Sequence, residues 1–437
     1  MERKFVNVIL LGFGFMFVFT AFQTMGNIEK TILDSIAHDD PTFLGDGYTS
    51  LAIIYATLAV CNWLAPSVIS VTGPRGAMLI GAVTYLMFIA SFLIPRTWLL
   101  YAASVLIGGG AALIWTGQGN YLTLNSDPHT ISRNSGVFWA MLQCSMFFGN
   151  LFVFIKFQGK TTIDAESRRF VFLGLTGVAV LGLAFLLLLR RARPEVVSAG
   201  TGPGQALRGA GRLFLSRDML LLSLTFIYTG VELSFFSGVY SSCLGFSLDF
   251  GEQAKQLVGL SGVFVGLGEV LGGALFGILG GRGTGRWGRS PVVCAGLGLH
   301  VVAFGLALVL VPAASPLGPA SGSLLGPSAG LAMTTSFLLG LGDACYNTQI
   351  YSLLGEHYAD DSTSAFAIFK FTQSMAAAAC FLYSSHVLLP VQLGVLLLLA
   401  AGGSATFCRV ETRARGGSAT FCRVEARGRR ERAAHSH

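Results

Sequence analysis

Charge is what this chain has least of. Asp, Glu, Lys and Arg make up 12% of its residues, against roughly a quarter in a soluble domain. With 53% hydrophobic residues, that balance excludes a soluble enzyme of this length. Catalytic and nucleotide-binding signatures are missing as well. There is no G-x-x-x-x-G-K-[ST] loop, no H-E-x-x-H helix and no pair of aspartates at catalytic spacing. The eight cysteines are scattered, mostly inside apolar stretches (Cys61, Cys144, Cys294, Cys345, Cys380). They show neither a metal-ligand spacing nor a disulfide framework. No N-x-[ST] glycosylation acceptor occurs. Neither a metal, a cofactor nor an enzymatic activity is expected.

What remains is apolar sequence in long runs. A helix needs roughly 20 residues to cross the hydrocarbon of a bilayer. Twelve candidate spans meet or approach that length, near 5–26, 48–70, 76–94, 98–124, 131–157, 170–190, 219–240, 257–280, 291–311, 329–354, 363–386 and 390–407. The first follows Arg3 and Lys4, lacks a small-residue cleavage site and reads as a signal-anchor rather than a cleaved leader. The expected class is therefore all-α: a polytopic integral membrane protein whose main partner is the lipid bilayer.

Lys and Arg favour the cytoplasmic side of membrane proteins. With both termini cytoplasmic, that side receives Arg3, Lys4, Arg75, Arg133, the arginines between Arg190 and Arg217, Arg282, Arg286, Arg289 and the basic tail. The opposite side receives Lys30, Arg96, Lys156, Lys160, Lys255 and, against the trend, Arg168 and Arg169, while the first outer loop carries Asp34, Asp39, Asp40 and Asp46. The net charge of +7 is thus a topology signal, and no nucleic-acid partner is expected. Whether the membrane is the plasma membrane or an internal one is not encoded in these features.

The polar stretch RRARPEVVSAGTGPGQALRGAGRLFLSRD splits the spans six and six. The expected organisation is a first half over 1–190, a cytoplasmic linker over 191–218, a second half over 219–407 and a basic, disordered tail over 408–437. Tyr121 and Gln143 recur at the same separation as Tyr351 and Gln373, a faint echo of the parallel repeats found in transporters. Span eight holds Gly259, Gly262, Gly266, Gly268, Gly272, Gly273 and Gly277; pairs four apart let another helix approach closely. The uncharged stretch 312–330 reads as a flexible outer loop. In the tail, GGSATFCRVE at 402–411 returns at 416–425, too short a unit to build a repeat fold.

Four charges interrupt the apolar spans of the second half: Glu232, Glu269, Asp343 and Lys370. A charge near the bilayer centre costs at least about 2.5–3.5 kcal/mol, so it faces protein or water and marks a pathway. At about 1.5 Å per residue, Glu232 lies about 20 Å from the start of its helix, and Glu269 and Asp343 about 18 Å from the cytoplasmic ends of theirs. Lys370 starts about 12 Å in and can extend its ammonium further. All four fit one level near the membrane centre. Two readings follow: a structural network in which Lys370 neutralises Asp343 or Glu269, or an acid that changes protonation as its surroundings move. Glu232 is the candidate for that second role, because three acids share one base. The first half supplies only neutral groups at such depth, among them Gln23, Gln118, Asn120 and Gln143. With Trp115 and Tyr121 as aromatic walls, and Asn347 and Gln349 from span ten, these are candidate contacts for a small polar solute. His129, Arg133 and the Glu356, His357, Asp360, Asp361 group read as solvated loop residues.

WTGQGNYLTLNSDPHTISRNSGVFWA (115–140), YTGVELSFFSGVY (228–240), GLSGVFVGLGEVLGGALFG (259–277), LLGLGDACYNTQ (338–349), SAFAIFKF (364–371) and the opening TAFQTMGNIEKTIL resemble the Unc-93-like branch of the major facilitator superfamily. The likeness covers about residues 1–400. It implies a twelve-helix fold of two six-helix halves in which span seven lines the cavity. Two functions follow from it: secondary transport of a small solute, or an accessory role towards a potassium channel or an escorted membrane receptor. The superfamily's gating-loop motif resembles G-x-x-x-D-R-x-G-R. Here GGRGTGRWGRSP keeps Arg286, Gly288 and Arg289 but has Gly285 where Asp is expected, and the earlier copy is reduced to GPRGAM.

Overall fold

The computed structural model describes residues 3–125, 131–158, 163–190, 211–358 and 362–434; the side chains of 276–287 and 414–434, among others, fall outside the described set. Among the described residues the regular structure is helical, and an isolated bridge joins Ser247 and Ala320. The helices are α1 (Arg3–Asp39), α2 (Gly47–Asn62), α3 (Ala65–Ser91), α4 (Thr97–Leu124), α5 (Ile131–Lys156) and α6 (Ala165–Leu187). After a segment outside the described residues (191–210) come α7 (Arg217–Phe246), α8 (Ala254–Trp287), α9 (Ser290–Leu310), α10 (Ala329–His357), α11 (Ser362–Ser384) and α12 (Leu389–Ala434).

The expected spans fall on helices, the second (48–70) being divided between α2 and the start of α3, and nine described helices are by themselves long and apolar enough to cross a membrane. α2 and the apolar part of α5 are shorter, and Asp343 dilutes the hydropathy of α10. The chain turns between its second and third spans at Gly73, whose φ of 70° suits a residue without Cβ, directly before Pro74. Helix starts carry side-chain caps where the chain enters from a loop: Asp46 accepts from the Thr49 amide at 2.8 Å and Asp164 from the Ser167 amide at 3.1 Å.

Three boundaries differ from expectation. α1 does not stop near Gly26 but runs to Asp39. Its NIEKTILDSIAHD extension is polar in composition yet buried: Glu29 and Lys30 are 0% and 8% exposed. The stretch 312–330 is held down, with Asp249 accepting from the Ser323 amide at 2.8 Å and the Leu325 amide donating to the Val309 carbonyl at 2.8 Å. α12 continues past 407, with Glu411 buried and Arg413 paired to Asp218 at 3.0 Å.

The first six helices meet the second six along α1–α7, α2–α11 and α5–α8. On α2–α11, Tyr48 and Tyr55 stack on Phe381 and Trp63 meets Phe371 edge-on. On α5–α8, the backbone of Gly259 and Gly262 lies against Asn150 and Phe154, and Gly266 against Met146. Gly268 faces the Phe337 carbonyl of α10, and Gly340 of α10 faces the Val265 carbonyl. The glycines of span eight thus serve close packing on two sides, because a Cβ at any of these positions would strike a neighbour.

Candidate functional site

The three intramembrane acids come from three helices. Glu232 sits on α7 three residues before a π-helical turn at Phe235–Val239, a local widening often found beside functional residues. Glu269 sits on α8 and Asp343 on α10. Their relative exposures are 0%, 8% and 9%, and each acid lies within electrostatic range of the next. The glycine contacts between α8 and α10 set this distance, since larger residues there would push the two backbones apart.

Each acid has a different polar environment. Glu269 accepts from the Gln143 amide of α5 at 3.1 Å, which carries the cluster across to the first six helices. Asp343 accepts from Asn347, one turn on, at 2.6 Å. Glu232 approaches Asp343, yet neither of its carboxyl oxygens makes a hydrogen bond of acceptable geometry. Its nearest basic atom is Nε2 of His300, 3.4 Å away on α9.

His300 is a residue of this cluster that sequence reasoning missed. It is fully buried, and its ring stacks on Tyr346 at 5.7 Å. Its Nε2 lies 3.1 Å from the Leu339 carbonyl, which can only accept, so that nitrogen carries the proton. Nδ1 is then the acceptor for the Tyr228 hydroxyl. The ring fits because Gly342 leaves it room on α10. A lone histidine inside the apolar run 291–311 was the available signal.

Lys370 does not neutralise an acid by direct contact. Among the described residues no ion pair within 4 Å joins it to Glu232, Glu269 or Asp343. Its ammonium donates to Gln373 at 2.9 Å and lies over the rings of Phe369 and Tyr351 at 4.7 and 5.4 Å. Gln373 in turn donates to Thr229 on α7 at 3.3 Å. Lys370 acts on Asp343 only across this gap.

The neutral candidates divide. Gln143 and Asn347 are drawn onto the acids. Gln23 accepts from Ser145, and Trp115 packs on Phe15 and Phe19 at 5.7 and 4.9 Å. Gln118 is buried and Asn120 exposed. Gln349 donates to its neighbour Thr348 at 3.0 Å. Tyr121 is fully buried and gives its hydroxyl to the Arg190 carbonyl at 2.7 Å, so it closes packing rather than walling a cavity.

In the gating-loop motif, the Arg286 side chain lies outside the described residues. Gly288 ends α8 with a φ of 76°. Arg289 is buried and donates from Nε to Ser352 at 2.9 Å. The first half does hold a buried carboxyl after all. Both oxygens of Glu29 lack a hydrogen-bond partner, while the next residue, Lys30, turns its ammonium to bridge Asp34 at 2.9 Å and Asp46 at 2.6 Å. The apolar run that ends at Gly26 concealed it, because an amphipathic continuation of a membrane helix has no hydropathy signal of its own.

Comparison with known proteins agrees with this architecture. The family described as "Ion channel regulatory protein UNC-93" matches residues 43–408. The UNC93-like protein MFSD11 of Xenopus laevis is 46% identical over 433 residues, covering 94% of this chain and 96% of that protein. UNC93-like protein 3 of Arabidopsis thaliana is 26% identical over 90% of this chain and 83% of its own length. Among solved structures, a POT family transporter in complex with 5-aminolevulinic acid superposes with a TM-score of 0.67 at 14% identity, over 95% of this chain and 97% of that one. The nucleoside transporter NupG superposes with a TM-score of 0.63 at 12% identity, over 93% and 99%. At such identities the structural likeness speaks for the fold, and the sequence likeness for the lineage: this chain belongs to the UNC-93 family of the major facilitator superfamily.

Proposed function

We propose that the protein is a secondary transporter that moves a small solute by alternating access and couples it to protons through Glu232. Glu232 carries this reading: a carboxyl fully removed from solvent, with neither oxygen hydrogen-bonded, on the helix that meets the first six along the α1–α7 seam. A carboxyl in such a place is least costly as the neutral acid and can hold charge only when water or a cation reaches it. Opening the site to one side supplies that water; closing it removes it. The charge state of Glu232 is thereby tied to which side is open, and its neighbours Asp343 and Glu269 share the same constraint. His300, with its proton fixed on Nε2, offers a donor 3.4 Å away when Glu232 ionises. The absence of a nucleotide-binding loop leaves an ion or solute gradient as the driving force.

Purified protein in liposomes should take up a labelled solute when the lumen is made alkaline. Short peptides and nucleosides are the first panel, because the structural neighbours include transporters described for them. Glu232→Gln is expected to keep solute exchange and lose acceleration by the pH gradient. Equal acceleration in both proteins rejects proton coupling through Glu232.

A second reading has its own support. The family is described as an ion channel regulatory protein, and the gating-loop motif has Gly285 in place of its Asp, which weakens a charge latch of the kind transporters use to switch states. In that reading the protein binds a channel or an escorted receptor. A stoichiometric partner in native-membrane purifications, with no flux across the panel, favours it over transport.

A further inference from the structure

We propose that Cys294 and Cys408 are a redox-modifiable dithiol, oxidised to a disulfide by peroxide-class oxidants and restored by a thiol reductant. The sulfur atoms lie 4.0 Å apart although the residues are 114 positions apart in sequence. Cys294 is exposed and Cys408 half-buried, so reagents can reach them from the membrane–water interface. Both lie about one helical turn from the face that carries the chain termini.

Their spacing is fixed by contacts next to them. α9 and α12 run antiparallel, and the Glu411 carboxylate accepts from the Ser290 amide at 2.6 Å, from the Arg289 amide and from the Ser290 hydroxyl. Ser290 is four residues before Cys294 and Glu411 three after Cys408, so the carboxylate cap and the thiol pair are successive rungs between the same two helices. A disulfide needs its sulfurs about 2.05 Å apart. The remaining approach of about 2 Å is less than the distance a thiol sulfur sweeps between staggered χ1 wells. The other described cysteines have no such neighbour: Cys243, Cys345 and Cys380 are buried, and Cys61 and Cys144 stand on other helices.

The chemistry balances with hydrogen peroxide as oxidant. One thiolate attacks the O–O bond to give a sulfenic acid and hydroxide, which takes up a proton to become water. The second thiol sulfur then displaces the sulfenic oxygen as a further water and closes the S–S bond. Two sulfurs lose one electron each, and the peroxide is reduced to two waters. With the termini cytoplasmic, glutathione keeps the pair reduced at rest, so oxidation acts as a transient signal. The bond would pin α12 to the start of α9, directly after the Gly288–Arg289 end of the gating loop.

The test uses the full-length protein in nanodiscs, treated with hydrogen peroxide, then with maleimide, then digested and analysed by mass spectrometry. A peptide pair joining Cys294 to Cys408 is expected, lighter by two hydrogen atoms than its parts and separated by dithiothreitol. Both residues should lose maleimide labelling together, while exposed Cys144 keeps its label. Cys294→Ala and Cys408→Ala should each abolish the joined pair and leave the remaining thiol of the couple labelled. Phenylarsine oxide, which bridges paired thiols, should protect both residues from maleimide in the unmodified protein. Retained labelling of both after peroxide, or a disulfide from Cys408 to Cys422 or to a second copy of the chain, overturns the proposal.

Discussion

At the residue scale, histidine and carboxylates are held by different means, and the difference is measurable. His300 fills a space bounded by Tyr228, Tyr346, Phe304 and the backbone of Gly342. Its replacement by Ala should leave a cavity and strand the Tyr228 hydroxyl. A loss on the order of 3 kcal/mol is expected, read as a lower thermal midpoint in detergent; an unchanged midpoint would contradict the packing described. Asp46 tests electrostatics outside the membrane. Burial opposes its charge, but the Lys30 ammonium and the Thr49 amide and hydroxyl outweigh that and hold its carboxyl below the ordinary value. A lowered folded-state pKa contributes stability that is present above the unfolded value and lost as pH falls through the folded one. Asp46→Asn should therefore melt earlier than wild type at neutral pH, with the gap closing below about pH 4. A gap of constant size at all pH values would show that the pairing contributes nothing.

At the scale of the helix, glycine decides more than hydrophobicity does. Between α8 and α10 the carbonyl of Val265 faces Gly340 and that of Phe337 faces Gly268. A methyl group there cannot be accommodated by rotating a side chain, because the opposing atoms are backbone. Gly340→Ala is expected to cost about 1–3 kcal/mol and to move Asp343 away from Glu269, whereas Gly273→Ala, which meets nothing within 4 Å, should be silent. Comparing the melting of the two variants checks this; equal melting would refute it. α7 shows a second device. Its π-helical turn at Phe235–Val239 changes the helix phase just beyond Glu232, so residues on the two sides of the turn face different neighbours.

At the scale of the whole molecule, the two sets of helices are tied by a hydrogen-bonded hub about 10 Å further from the terminal face than Gln143 and Glu269. Asn27 of α1 donates to Asn150 of α5 at 2.8 Å and to the Val258 carbonyl of α8 at 2.9 Å, and accepts from Ser241 of α7. Ser261 and Ser336 extend it, 2.9 Å apart. If the sets rock against one another, this hub must break as the far side opens. Asn27→Ala should weaken the closed seal and speed maleimide labelling of the buried Cys243 severalfold. Labelling at the wild-type rate would mean that the hub does not hold the seam.

Much of this was legible in the sequence. Twelve apolar runs separated by polar or Gly- and Pro-rich loops gave the helices, because hydrophobic length is set by bilayer thickness and needs no knowledge of neighbours. Glu232, Glu269 and Asp343 were legible for the same reason, since a charge inside such a run carries a cost that protein or water around it must offset. The missed features share one property: their meaning lies in a partner far away in the chain. Glu29 lay hidden beyond the end of an apolar run, His300 looked like an isolated polar residue, and Glu411 and Cys408 stood in a tail that composition alone describes as basic.

What the sequence determined by itself is the membrane-spanning, all-α character of the chain, fixed by local hydropathy against a medium about 30 Å thick. Only the tertiary structure decided which charges meet. Lys370 went to Gln373 and two aromatic rings instead of an acid, while Glu232 drew His300, and Glu269 drew Gln143 from the other set of helices. Which way a side chain faces on a helix buried on all sides is set by where glycines let backbones touch. That is a property of helix pairs rather than of any one run of residues.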